Sequence, residues 1–214
     1  MSALPPDYDA DPERWRSWEA PQDVHDVVAD ELRGPTLDVG CGDGRLASLV
    51  VDRGVAWVGV DSSPSQLAAN PYRPVVLADM RCLPFAREVF QEVTHLWCLY
   101  HLDDPRVAIA EAMRVLEHGG RYFASTSARD NDPEIMPEGY PHSTFDAEEA
   151  AEIVGSVFGH VEAEWWNARF FPLETREEIR AYCRHHLIPA ERAEEAEVPL
   201  WLTKRGVLVR ATTE

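Results

Sequence analysis

Residues 37–46 read LDVGCGDGRL, and this stretch constrains the fold more than any other. An apolar run ends in Asp38, glycines stand at 40, 42 and 44, and an apolar helical spacing begins at Leu46. That pattern is a strand, a tight turn and a helix start. A turn so rich in glycine lets a ligand approach the main chain, and the helix start offers unpaired N–H groups. The spacing departs from two phosphate-binding turns. G-x-G-x-x-G would need glycine where Arg45 stands, and the P-loop needs a Lys and a Ser or Thr that do not follow Gly44.

Two further apolar runs end in acids. Residues 58–61 read VGVD, and residues 75–80 read VVLADM. A carboxylate at such a strand end can accept hydrogen bonds from ribose hydroxyls. Each of Asp38, Asp61 and Asp79 alone reads equally as a helix cap or turn residue. All three in register point to one carboxyl edge of a parallel sheet, where open α/β folds bind ligands. Ser63 followed by Pro64 predicts a capped helix start over 63–69.

These blocks, LDVGCGDGRL, VGVDSSPSQL, LADMRCLPF and the later EAMRVLEHGGRYF, resemble class I S-adenosylmethionine-dependent methyltransferases of the small UbiE-like kind. The resemblance covers about residues 37–126. It implies an α/β fold with a Rossmann-like, seven-stranded, mainly parallel sheet and helices on both faces. It also implies that Asp38 and the 40–44 turn (Gly40, Cys41, Gly42, Gly44) hold the methionine end of the cofactor, with Asp38 near its amino group. Asp61 would take the ribose hydroxyls, with Ser62 beside it. Asp79 and the Met80 backbone would take the adenine, and Leu96 would lie along the cofactor. The chemistry agrees: a cofactor without phosphates needs acceptors for an ammonium, a diol and an exocyclic amine, and carboxylates supply them.

A single domain is expected from 214 residues. It divides into an N-terminal helical cap over 1–34, a cofactor-binding core over 35–129, and a substrate-side half over 130–214. Trp15, Trp18, Val24, Val27, Val28 and Leu32 give the cap its apolar face, which either covers the cofactor or packs on the sheet. The pattern predicts helices over 44–53, 105–116 and 146–157, with strands over 93–99, 121–126 and 161–169. Asp146 with Glu149 and Thr175 with Glu178 each read as a capping pair. Segments 198–203 and 206–211 flank a turn at Lys204 and Arg205, the second being a strand. A helical insertion over about 175–197 thus precedes the last strand, and it is expected to roof the substrate pocket.

The chain carries 20 basic against 38 acidic residues, a net charge of −18. Nucleic acids are held by clustered Lys and Arg, and here the basic residues are scattered, so no nucleic-acid partner is expected. No apolar run approaches the roughly 20 residues that cross a bilayer, and no membrane association is expected. Four cysteines without paired spacing suggest neither a disulfide framework nor a metal site, which fits a reducing cytoplasm. A monomer or homodimer acting on a small molecule is the expectation.

Methyl transfer from a sulfonium needs alignment, plus a general base when the acceptor is a hydroxyl or a protonated amine. His101 and His95 are the candidate bases near the fourth strand end. Each reads equally as a structural histidine. Trp97, Tyr100, Arg129, Tyr140, His142 and Trp165 are the candidate substrate residues. Arg129 would pair with a substrate carboxylate. One of the adjacent Trp165 and Trp166 should be core and the other should face the pocket, since a strand sends them to opposite sides. The expected function is an enzyme that methylates an N, O or S nucleophile of a small molecule, releasing S-adenosylhomocysteine. An RNA or protein methyltransferase, a non-catalytic S-adenosylmethionine-binding regulator, and a use of the sulfonium without methyl transfer remain alternatives.

Overall fold

The computed structural model describes residues 24–139 and 142–214, with 170 and 171 described by backbone alone. The expected cap lies outside the described residues as far as residue 23. Its last part forms α1, Val24–Glu31.

Seven strands form one sheet in the order β3-β2-β1-β4-β5-β7-β6. They are β1 (Thr36–Val39), β2 (Trp57–Asp61), β3 (Val75–Leu77), β4 (Phe90–Leu96), β5 (Leu116–Ser127), β6 (Val161–Leu173) and β7 (Leu200–Thr212). The first five pair in parallel, while β7 runs antiparallel to both β5 and β6. Strand order reverses between β1 and β4, which places a crevice beyond their carboxyl ends. The expected fold class is therefore the observed one.

Helices α2 (Arg45–Val50), α3 (Pro64–Ala69), α4 (Arg106–Val115) and α5 (Ala147–Phe158) complete the two outer layers. One face of the sheet buries Val39, Val93, Tyr122 and Val209 under α4 and α5. The other buries Trp57, Leu96, Phe123 and Leu208 under α1, α2 and Leu67 of α3. Local chemistry explains the ends of α3 and of α6 (Arg176–His185). Ser63 Oγ accepts from the Gln66 amide, with Pro64 in the first turn. Thr175 and Glu178 form a reciprocal capping box.

Two local expectations change. Asp146 stands at the N-cap of α5 without a side-chain capping bond, because its carboxylate accepts from Arg129 Nε at 2.6 Å. No turn forms at Lys204 and Arg205, which pair with Ala168 and Asn167 in the continuous strand β7. Thirteen-residue β6 supplies those partners, so the two strands extend beyond the end of β5 as an arm. On this arm α6 and α7 (Ala190–Glu195) bury a small core of their own, including Leu173, Ile179, Tyr182, Leu200 and Leu202. The predicted helical insertion over about 175–197 is this pair of helices.

Candidate active site

The turn after β1 sits at the switch point. Gly40, Gly42 and Gly44 have φ of 76°, 50° and 95°. At Gly40 a Cβ would stand 2.6 Å from Cys98 Cβ, so the segment after β4 lies hard against the turn. At Gly42 the nearest atom would be Gln66 Oε1 at 3.6 Å, so the space there is open enough for a ligand to reach the main chain. Asn70 is buried and donates through Nδ2 to the Gly42 carbonyl at 3.1 Å, bracing the turn from α3. Sequence reading missed this residue, because an asparagine after a helix looks like an ordinary terminator. Cys41 is buried and packs as a small side chain; desolvation pushes its thiol pKa up, against nucleophilic chemistry.

Asp61 clamps this turn. Its Oδ2 accepts from the Gly42 amide and its Oδ1 from the Ser63 amide, both at 2.8 Å. A carboxylate offers about four acceptor sites, the chemistry that a diol requires. Ser62 beside it is exposed. Asp79 lies at the next strand end and is held by Arg81, whose side-chain hydrogen bonds keep its carboxyl below the usual range. Met80 packs partly buried on the core beside it.

Asp38 is placed differently from expectation. Its carboxylate is only 3% exposed. It accepts from Thr94 Oγ1 at 2.8 Å and from Trp57 Nε1 at 3.2 Å. It therefore lies beneath the turn, its two oxygens engaged by protein side chains. Burial raises its pKa to about 6, against the lowering effect of the Thr94 bond.

Beyond β4, Leu96 is buried, and Trp97, Tyr100 and His101 follow at the crevice. Tyr100 and His101 meet ring to ring at 4.5 Å, and Thr144 Oγ1 donates to the Leu102 carbonyl, holding this loop to the segment before α5. His101 keeps an exposed surface. Desolvation by its neighbours lowers its pKa, so the imidazole is neutral at pH 7, the state a base requires.

His95 cannot serve beside it. It is fully buried, its Nδ1 lies 3.0 Å from the Tyr122 hydroxyl, and Tyr122 belongs to the core under α4 and α5. Burial lowers its pKa to about 3. Arg129 is likewise unsuited to a substrate carboxylate: Asp146 and Glu149 hold its guanidinium at 2.6 and 2.5 Å. Trp165 is 54% exposed on the far face, whereas Trp166 meets Trp97 edge to face with centroids 5.8 Å apart. The indole turned toward Trp97 is thus Trp166. His142 is exposed, and Tyr140 lies outside the described residues.

Among the described residues, no group of three or more His, Cys, Asp or Glu side chains converges to hold a metal ion. Nor is any helix there long and apolar enough to cross a membrane.

The glycine turn, its Asp61 clamp and the switch point coincide with a sequence match: residues 37–124 match the family described as a methyltransferase domain. Over that stretch the core of this chain is similar to methyltransferase domains. The cofactor of such domains is S-adenosylmethionine, and the Asp61 carboxylate at the end of β2 and the open side of Gly42 fit its diol and its close approach. A ubiquinone biosynthesis O-methyltransferase of Pseudomonas paraeruginosa is 31% identical over 138 residues, covering 58% of this chain and 55% of its own. The chain thus spans about half the length of the curated relatives it matches. Among solved structures, the YcgJ protein of Bacillus subtilis superposes with a TM-score of 0.64 at 16% identity, covering 89% of this chain and 97% of its own. A phosphoethanolamine N-methyltransferase of Haemonchus contortus, solved with S-adenosylhomocysteine, has a TM-score of 0.56 at 15% identity, covering 86% and 49%. At those identities the two structures speak for the fold of the methyltransferase domain alone.

Proposed function

We propose that this chain is a methyltransferase that moves the methyl group of S-adenosylmethionine to a nucleophile on a small molecule. The observation that carries this is the Asp61 clamp on the Gly42 amide at the switch point of a methyltransferase domain. A small acceptor is supported by the name of the similar ubiquinone biosynthesis O-methyltransferases and by the net charge of −18, which disfavours a phosphate backbone.

When bound, S-adenosylmethionine supplies a methyl group already activated on a sulfonium. The 40–44 turn holds the methionine end by its backbone. Asp61 accepts from the ribose hydroxyls, and Asp79 with the Met80 backbone borders the adenine. Asp38, buried below, contributes negative potential to a cationic ligand. His101 stands neutral at the crevice and takes the acceptor's proton where the acceptor needs deprotonation. The roof of α6 and α7 closes the acceptor side. It is pinned by Asp132, whose Oδ2 accepts from the Tyr182 hydroxyl at 2.6 Å and from Lys204 Nζ at 2.8 Å.

Two measurements test the reading. Calorimetry with S-adenosylmethionine and S-adenosylhomocysteine should give saturable binding. Incubation with methyl-labelled cofactor and a metabolite extract should label a small product. Binding without any labelled product would favour a regulator, and label on RNA or protein would replace the acceptor class.

A further inference from the structure

Trp97 is the first residue after β4 and holds the left-handed backbone conformation, φ 59°. Bulky residues avoid that region, and where they occupy it the strain tends to sit at functional positions. The next residue, Cys98, abuts Gly40 and donates through Sγ to the Val39 carbonyl, so Trp97 is set beside the glycine turn. Trp166 of β6, in contact with Trp97, lies over Gly206, where a Cβ would come within 2.3 Å of the indole. The strand has thus made room for the ring. The two indoles are half-buried, their planes 72° apart, and they pack on the cluster that contains Cys41 of the turn. One indole sets its edge on the face of the other, and the planes beside that contact form a corner.

The surroundings of this corner suit a cation. The Arg129 guanidinium is held by Asp146 and Glu149, and the Lys204 ammonium by Asp132, so neither is disposed toward a carboxylate or phosphate. The 38 acidic residues against 20 basic ones steer cations toward the surface. Ser125, on the same face of the sheet and paired in register with Leu96, has a buried hydroxyl without a partner among the described residues.

We propose that the corner between Trp97 and Trp166 is the acceptor subsite, and that the acceptor is an amine held as its ammonium against the two indole faces. This rests on the methyltransferase reading. An ammonium has no lone pair, so it first gives a proton to the neutral His101 imidazole. The freed nitrogen lone pair then forms the new N–CH3 bond as the C–S bond breaks and its electron pair stays on sulfur. The products are a methylated ammonium, S-adenosylhomocysteine and a protonated imidazole that returns its proton to solvent.

The test uses the full chain saturated with S-adenosylhomocysteine and titrated with choline, with 3,3-dimethyl-1-butanol as its uncharged isostere, and with catechol. Choline is expected to bind about fivefold tighter than the isostere or better, the range of a desolvated cation–π contact. Trp166→Leu should abolish that preference and Trp166→Phe should keep part of it, with S-adenosylhomocysteine affinity unchanged in both. Equal binding of choline and its isostere, tighter binding of catechol, or no choline heat at millimolar concentration overturns the amine assignment. Failure of S-adenosylhomocysteine to bind at all would instead overturn the methyltransferase reading.

Discussion

The Gly42 amide donates to the Asp61 carboxylate at 2.8 Å, tying the turn after β1 to the end of β2. One side chain thereby shapes the turn at the carboxyl edge of the sheet. The same carboxylate caps the Ser63 amide at the start of α3. Removing it should therefore disturb ligand binding and local structure together.

Asp61→Ala should weaken S-adenosylhomocysteine binding by about 1–3 kcal/mol, the worth of charge-assisted hydrogen bonds to a diol. Isothermal calorimetry reads this directly. Unchanged affinity would remove Asp61 from the ribose site.

Asp38 makes the protein trade stability for charge. Its carboxyl is raised from 3.8 to about 6 in the fold. A raised acid carries no penalty while it is protonated in both states, so the penalty is absent below the unfolded value of 3.8, grows as pH climbs from there to about 6, and is complete at neutral pH. There it amounts to about 3 kcal/mol. Asp38→Asn should therefore stabilise the ligand-free protein at pH 7 by about 1–2 kcal/mol, because an amide facing the Trp57 N–H forfeits part of the gain. Below pH 3.8 the two proteins should be alike in urea unfolding. The same variant should bind S-adenosylmethionine more weakly. A stability gap that does not widen with pH would sink this account.

His95 has the opposite sign. Its folded-state pKa of about 3 lies below the ordinary 6.5. Stability from the neutral imidazole is full above pH 6.5 and is lost as pH falls toward 3, about 2 kcal/mol of it by pH 5. His95→Gln should flatten the acid limb of a Tm-against-pH curve and leave kcat near that of the parent. A large fall in kcat with intact folding would restore His95 as a base.

For His101 the expected signature is kinetic. His101→Gln should lower kcat by roughly 100-fold while S-adenosylhomocysteine affinity holds. The pH–rate profile of the parent should show a limb from a group titrating below 6.5, since packing lowers this imidazole. A variant that keeps both rate and profile assigns His101 to holding the loop.

The helix caps at Ser63 and Thr175 were legible in the sequence because a cap involves residues two or three apart. The glycine turn and the acid strand ends were legible for a similar reason: backbone sterics and strand period act within a few residues. Arg129, His95 and the Trp165–Trp166 pair were not. Arg129 meets carboxylates 17 and 20 positions away, and His95 meets a hydroxyl 27 positions away. Nothing local separates an arginine that awaits a ligand from one already held.

By itself the sequence determined the alternation of strands and helices, the turn after β1, and a family resemblance centred on that turn. Tertiary structure decided which polar groups face the crevice and which are consumed by the protein. It buried Asp38 under Trp57 and Thr94, closed Arg129 on Asp146, extended β7 through Lys204 and chose Trp166 over Trp165. The reason is physical: conformation follows from neighbours along the chain, but hydrogen-bond partnership and solvation depend on which distant segments the sheet brings within 3 Å.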